Sequence, residues 1–380
     1  MLINTARGSL HEFLGDRVIY RNLNAADLTL PRFVKLQAGL DLQNSRLPRK
    51  SEGEYAQVVA KLLSIAQTNR GISRPLQRLL YIGDTQMLDG TAFSNLCMVA
   101  GWSGLAFIGS EDNKSLSVTI EQHPLGGQLY LANRWNALQN FAAYLENKGF
   151  IVDETNAVVI DLDKTALGAR GRNGGVIDQA RLQAVYDTAA SLLGETFDRH
   201  DFQISYEQLN QPEFHPFTAD NQDYLVYICL VLNCGYSNIE QLLDDVRAMR
   251  LNSFLQFISQ VHTQIKTLPR RFQEVHQEIY SNVQTGDPTP FKAFRRQEYL
   301  RTITCFGKLS DNAPVENMLA QEILITGEVR QVALVWQAQG ALLFGLSDKP
   351  DEAATPTEDL ERAGYEPIHR ALTHVVMEDR

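Results

Sequence analysis

The chain has 380 residues, with 35 Lys and Arg against 45 Asp and Glu, a formal charge of −10. That balance argues against non-specific binding to nucleic acid or to an anionic membrane surface. With 44% hydrophobic and 21% charged residues the chain is not a long disordered one, and its length allows two or three domains with a core that needs no disulfides.

The N-terminus has no basic flank leading into an apolar run, so no signal peptide is expected. The longest apolar stretch, Tyr224 to Leu232, is too short to span a bilayer. Cys97, Cys229, Cys234 and Cys305 form no CxxC pair. Such sparse use fits core positions in a reducing cytoplasm, where the sequon Asn113-Lys114-Ser115 has no role.

Residues 1–169 alternate helices and strands. Ser51-Glu52-Gly53-Glu54 reads as a capping box. It opens a helix in which Tyr55, Val58, Val59, Leu62, Leu63 and Ala66 recur at helical spacing. LLYIG (79–83) and LAFIG (105–109) are short apolar runs ending in Gly, and AVVIDLD (157–163) is a third run. All three read as buried parallel strands, and their alternation with helices predicts an α/β sheet covered on both faces. Residues 170–317 read as mostly helical, for example in IDQARLQAVYDTAASLLG, NIEQLLDDVRAMR, FLQFISQVHTQI and FKAFRRQEYLRTI. That block has the look of an inserted all-α domain. Residues 318–380 return to α/β. A helix runs from a Thr326 N-cap to Gly340, then come the strand of ALLFGLSDKP, a short helix TEDLERAG and a possible strand THVVM.

Four features carry chemistry, each at the carboxyl end of a predicted strand or just before a helix, where open α/β sheets bind ligands. In VVIDLDKTA, Asp161 and Asp163 flank Leu162 as a strand ends. One carboxylate of such a pair can be a nucleophile while the other exchanges protons, and oxygen ligands suit Mg²⁺. A solvated strand end with a helix cap is the plainer reading of this pair alone. In LLYIGDTQMLDGTAF, Asp84 and Asp89 follow a strand and can complete a metal site, or simply cap a turn. In ALLFGLSDKP, Ser347 follows a strand and can hydrogen-bond a phosphate oxygen, although Ser-Asp-Lys-Pro is also an ordinary turn. Lys50 precedes the Ser51 cap, where a cation opposes the helix dipole and so calls for an acidic partner or a bound anion. Surface exposure is the simpler account, and Arg49 is its near substitute.

Together these segments resemble the motifs of the haloacid dehalogenase (HAD) superfamily of phosphohydrolases. VVIDLDKT resembles its first motif, FGLSDKP its second, the Lys50 helix its third and YIGDTQMLD its fourth. The motifs run third, fourth, first, second, a cyclic rotation such as circular permutation produces. The resemblance covers roughly residues 45–170 and 320–355. It implies a Rossmann-like three-layer core in two parts, residues 1–169 and 318–380, with residues 170–317 as a helical cap that selects substrate. It also implies a Mg²⁺-dependent phosphatase acting on a small phosphorylated metabolite. By that likeness Asp161 attacks phosphorus and Asp163 serves the leaving group and then the water. Ser347 and Lys50 hold the phosphoryl group, and Asp84 and Asp89 bind Mg²⁺ with Asp161 and the Asp163 carbonyl. A phosphotransferase or mutase of the same fold and a non-catalytic binding module are the alternatives. Dehalogenases of this superfamily lack the second Asp, and Asp163 is present here.

Two basic segments complete the candidates. Residues 264–308 hold eight basic against four acidic side chains. The pairs Arg270/Arg271 and Arg295/Arg296 can grip a second substrate anion, or lie in ordinary salt bridges. GARGRNGG (168–175) can be a hinge whose Arg170 or Arg172 reaches the phosphate. It is no P-loop, and His262 and His276 lack metal-ligand spacing.

Overall fold

The computed structural model describes residues 1–40, 42, 46–112 and 114–379. The sequon Asn113 falls outside them. Among the described residues there are ten strands: β1 (Leu2–Gly8), β2 (Val18–Ile19), β3 (Arg78–Gly83), β4 (Ser103–Gly109), β5 (Val118–Gln122), β6 (Gln128–Ala132), β7 (Asn156–Asp161), β8 (Ile325–Thr326), β9 (Leu342–Leu346) and β10 (Thr373–Glu378). They divide into a seven-stranded sheet of order β2-β9-β7-β3-β4-β6-β5 and a three-stranded sheet of order β1-β10-β8. All neighbours in the larger sheet are parallel except β5 and β6.

The apolar runs predicted as strands form the middle of this sheet because both of their faces are covered. Leu79, Tyr81, Ala157, Val159, Leu342 and Phe344 belong to one buried cluster with helices Gly53–Asn69 and Thr91–Ala100. Residues alternate across a strand, so Phe107, next to the clustered Ala106, points the other way. There it packs on Phe141 of helix Ala137–Asn147, whose ring meets Trp336 of helix Gly327–Ala338. The result is a helix–sheet–helix sandwich. Register aligns the carboxyl ends of three neighbours, with Ile160 opposite Ile82 and Asp161 opposite Leu346. The smaller sheet pairs β1 with β10 antiparallel and so joins the two ends of the chain.

The chain forms two compact units, Met1–Ala180 with Thr302–Arg380, and Arg181–Arg301. The second is narrower than the 170–317 block read from the sequence, and among its described residues all regular elements are helical. Its core surrounds helix Gln222–Asn233, whose residues Leu225–Leu232 are all buried. The longest apolar stretch of the sequence is thus a core helix.

The capping box is a correction. Helix Gly53–Asn69 starts after Glu52, and no side chain caps it. The Glu52 carboxylate accepts from the Arg49 main-chain N–H at 3.0 Å and pairs with Arg46. Thr326 does precede its helix, but its hydroxyl donates to the Thr165 carbonyl at 2.5 Å instead of capping. Cys97 and Cys229 are core residues, whereas Cys234 and Cys305 are partly exposed, and none of the four forms a disulfide.

Candidate functional site

The carboxyl ends of β9, β7 and β3 bring together residues from four separate stretches of chain. Asp161 is the last residue of β7, and Asp84 follows Gly83 at the end of β3. Asp89 folds back so closely that a Cβ on Gly83 would stand 2.5 Å from its side chain. Lys50 enters just ahead of helix Gly53–Asn69. Its ammonium lies 2.6 Å from Asp89 Oδ1 and 2.5 Å from Asp161 Oδ1. Lys50 thus bridges two of the carboxylates, and all three side chains are buried. Carboxylate oxygens of Asp84, Asp89 and Asp161 lie within 4.8 Å of one another, the one such group of potential metal ligands among the described residues.

The members differ in how far their oxygens are already used. Asp89 Oδ2 accepts from the main-chain N–H groups of Asp84 and Thr85 and from the Thr85 hydroxyl, at 2.9–3.0 Å. Its Oδ1 accepts from Lys50 and, at 3.1 Å, from the Tyr81 hydroxyl. Both oxygens are occupied, so Asp89 orients Lys50 and the β3 loop more than it offers a ligand atom. Asp84 Oδ2 receives Arg170 Nε at 2.5 Å. Asp161 meets Lys50 through one oxygen.

Electrostatics follow from burial and crowding. Burial and the like charges of Asp89 and Asp84 outweigh Lys50 and push the Asp161 carboxyl well above the usual range. Burial and Asp89 push Asp84 up to about 6 against the pull of Arg170. Asp89 is buried too, but the Lys50 ammonium and the loop hydrogen bonds bring it down to about 2. Burial disfavours the Lys50 ammonium, yet Asp161 and Asp89 hold its pKa well above that of free lysine.

Asp163 stands apart from the three-carboxylate group, and its Oδ2 lies 3.5 Å from Lys349 Nζ. Its carboxylate is thus outside that group, and the resemblance implies its main-chain carbonyl, not its side chain, as a metal ligand. Lys349 is itself 4% exposed, and its main-chain N–H donates to the Ser347 hydroxyl at 3.0 Å. Sequence reasoning gave Lys349 no role, although the Lys-Pro pair after Ser347 was the available signal. Tyr81 went unassigned because a strand residue on the core face gives no sign of what its hydroxyl meets.

Comparison with protein-family models, with curated proteins and with solved structures finds no match to this chain. What the residues can do therefore rests on their own geometry.

The donor set is all oxygen, which suits a hard divalent cation. The hydroxyls of Tyr55 and Thr165 are buried with no hydrogen-bond partner among the described residues. Both belong to this neighbourhood: Thr165 lies on the loop after Asp161, and Tyr55 feels the charges of Lys50 and Asp161. Unpaired buried hydroxyls at a charged cluster fit a site that takes a polar ligand.

The arginines divide sharply. Arg172 is a correction: its guanidinium is buried between Glu111 and Glu328, at 2.7 and 2.9 Å, so it is not available to a substrate. Arg295 is another, held by Asp223 at 2.6 Å and Glu298 at 2.7 Å inside the helical unit. Arg270, Arg271 and Arg296 are exposed on that unit. Arg170 reaches the carboxylates, on Asp84. Among the described residues no helix is long and apolar enough to cross a membrane.

Proposed function

We propose that the α/β unit is a Mg²⁺-dependent phosphatase that hydrolyses a small phosphorylated metabolite through an aspartyl-phosphate on Asp161. The observation that carries the reading is the convergence of Lys50 on Asp161 and Asp89, beside Asp84, at adjacent parallel strand ends. Ser347 lies one residue beyond Leu346, the register partner of Asp161. These are the residues through which the sequence resembles HAD phosphohydrolases, gathered in one place despite their rotated order along the chain.

In this reading an Asp161 oxygen attacks phosphorus, and the bond from phosphorus to the ester oxygen breaks. Asp163 gives its proton to the departing alkoxide. It then takes a proton from water, whose oxygen attacks phosphorus and releases phosphate and the free Asp161 carboxylate. Lys50 and the Ser347 hydroxyl hold the phosphoryl oxygens, and Lys349 keeps Asp163 oriented. Mg²⁺ held by Asp84, Asp161 and the Asp163 carbonyl would keep the carboxylates ionised and offset phosphoryl charge. The helical unit, inserted in the chain between Asp163 and Ser347, is where the resemblance places substrate choice. Cysteines that form no disulfide suit a reducing compartment such as the cytoplasm.

The test is phosphate release from p-nitrophenyl phosphate with Mg²⁺ and with chelator, for the wild type and Asp161→Asn. Turnover that needs Mg²⁺ and disappears in the variant supports the reading. Turnover that survives Asp161→Asn refutes the nucleophile. Absence of turnover, together with no effect of Mg²⁺ on thermal unfolding, leaves a non-catalytic module.

A further inference from the structure

Each carboxylate of the cluster is met by a side-chain cation, and the two cations are held very differently. Lys50 is buried and bridges Asp161 and Asp89. Arg170 touches Asp84 alone, and its side chain is 41% exposed. A divalent cation arriving at Asp84 and Asp161 meets Lys50 deep in the protein and Arg170 on the solvent side. Arg170 is the one with room to leave.

The backbone beneath Arg170 is fixed. Its carbonyl accepts from the Glu111 N–H at 2.9 Å and from the Trp135 indole N–H at 3.1 Å. Its own N–H donates to the Lys164 carbonyl at 2.7 Å. Gly171 follows with φ +79°, and a Cβ there would lie 1.8 Å from the Glu111 carbonyl oxygen. Arg172 is clamped by Glu111 and Glu328. A guanidinium on so rigid a base can exchange partners by side-chain rotation while staying beside the carboxylates. Its planar fork matches a phosphoryl group at least as well as a carboxylate.

We propose that Arg170 is an exchangeable counter-ion, which holds Asp84 while the cation site is empty and moves to the substrate's phosphoryl oxygens when a divalent cation takes Asp84. This rests on the phosphatase reading and adds an order of events: cation first, then a phosphate site that the released arginine completes. A fixed structural salt bridge and an exchangeable one make opposite predictions for the same substitution.

The experiment measures thermal unfolding of wild type, Arg170→Gln, Arg170→Lys and Asp84→Asn during titration with Mg²⁺ alone, then with inorganic phosphate at saturating Mg²⁺. Removing the competing guanidinium should lower the Mg²⁺ concentration for half-effect by about three- to thirty-fold. The same change should raise that for phosphate by about tenfold or more. Arg170→Lys, which keeps the charge without the fork and guards against a folding defect, should fall between. Mg²⁺ binding that is unchanged or weaker in Arg170→Gln overturns the proposal. Tighter Mg²⁺ binding with phosphate unaffected also overturns it, since Arg170 would then be a plain counter-ion. A wild type that responds to Mg²⁺ no more than Asp84→Asn does refutes the site reading itself, and the proposal with it.

Discussion

Both units bury charge, but to different ends. In the helical unit Arg295 donates through Nε and Nη2 to Asp223 at 2.9 and 2.6 Å and through Nη1 to Glu298 at 2.7 Å. Arg181 meets the other oxygen of Glu298 at 2.9 Å. Two carboxylates face two guanidinium groups, and the main-chain N–H of Phe291 takes the second oxygen of Asp223. In the α/β unit three carboxylates share Lys50 and Arg170. A network closed in charge and hydrogen bonds holds its unit together. A network left short of positive charge has a capacity to bind, and the missing charge is what a cation would bring.

The widest separation between the two comes from matched carboxylate substitutions. On the proposed phosphatase reading, Asp161→Asn is expected to reduce phosphate release by at least about a thousand-fold, because it removes the proposed nucleophile. Its thermal midpoint should stay at or above that of wild type, since one of three crowded carboxylates loses its charge. Asp223→Asn should do the reverse for stability, lowering it by about 3 kcal/mol in urea unfolding, because Arg295 keeps its burial and loses its paired acceptor. Equal destabilisation by both substitutions would erase the distinction.

How much of this the sequence revealed depends on where each residue finds its partner. β3, β4, β7 and β9 were legible as short continuous apolar runs, the first three ending in Gly or Asp, which is the pattern of buried strands. β2 and β8 are two residues long, and β5 is exposed throughout, so neither alternation nor an apolar run marks them. Asp161, Asp84, Asp89 and Lys50 were legible as chemistry by residue type and context, and the resemblance grouped them. The fate of Arg172 and Arg295 was not, since Glu328 lies 156 residues from Arg172 and Asp223 lies 72 from Arg295. A basic residue looks the same in sequence whether it will grip a substrate or close a salt bridge. Local rules also failed at Glu52, whose carboxylate turns back to the nearby Arg46 and Arg49 instead of completing a capping box.

Gly171→Ala tests whether the site depends on a locked backbone in a way that the side-chain pairs of the helical unit do not. The added methyl cannot coexist with the Glu111 carbonyl 1.8 Å away, and φ at this residue is +79°. The loop must shift, at a cost of about 2–3 kcal/mol in urea unfolding. The Arg170–Asp84 contact should loosen with it, so Mg²⁺ should stabilise this variant at lower concentrations than it does wild type. Unaltered stability and Mg²⁺ response would mean that the loop has slack.

The smallest expected effect lies in the helical unit and depends on pH. His276 is buried, with Nδ1 2.6 Å from the Tyr227 hydroxyl and Nε2 3.1 Å from His262 Nδ1, and His262 stacks on Tyr280. Burial, and then repulsion from His262, bring His276 down to about 4. An unfolded chain takes up this proton near pH 6.5 while the folded unit refuses it. The stability held by neutral His276 is complete above pH 6.5 and drains as the pH falls toward 4. His276→Gln removes the titration, so its deficit against wild type should be larger at neutral pH and shrink by about 1 kcal/mol by pH 5, after allowance for solvent screening. Urea unfolding at the two pH values measures it. A deficit that does not change with pH would mean that His276 takes up its proton at the same pH in the folded unit as in the unfolded chain, so that burial does not hold it neutral.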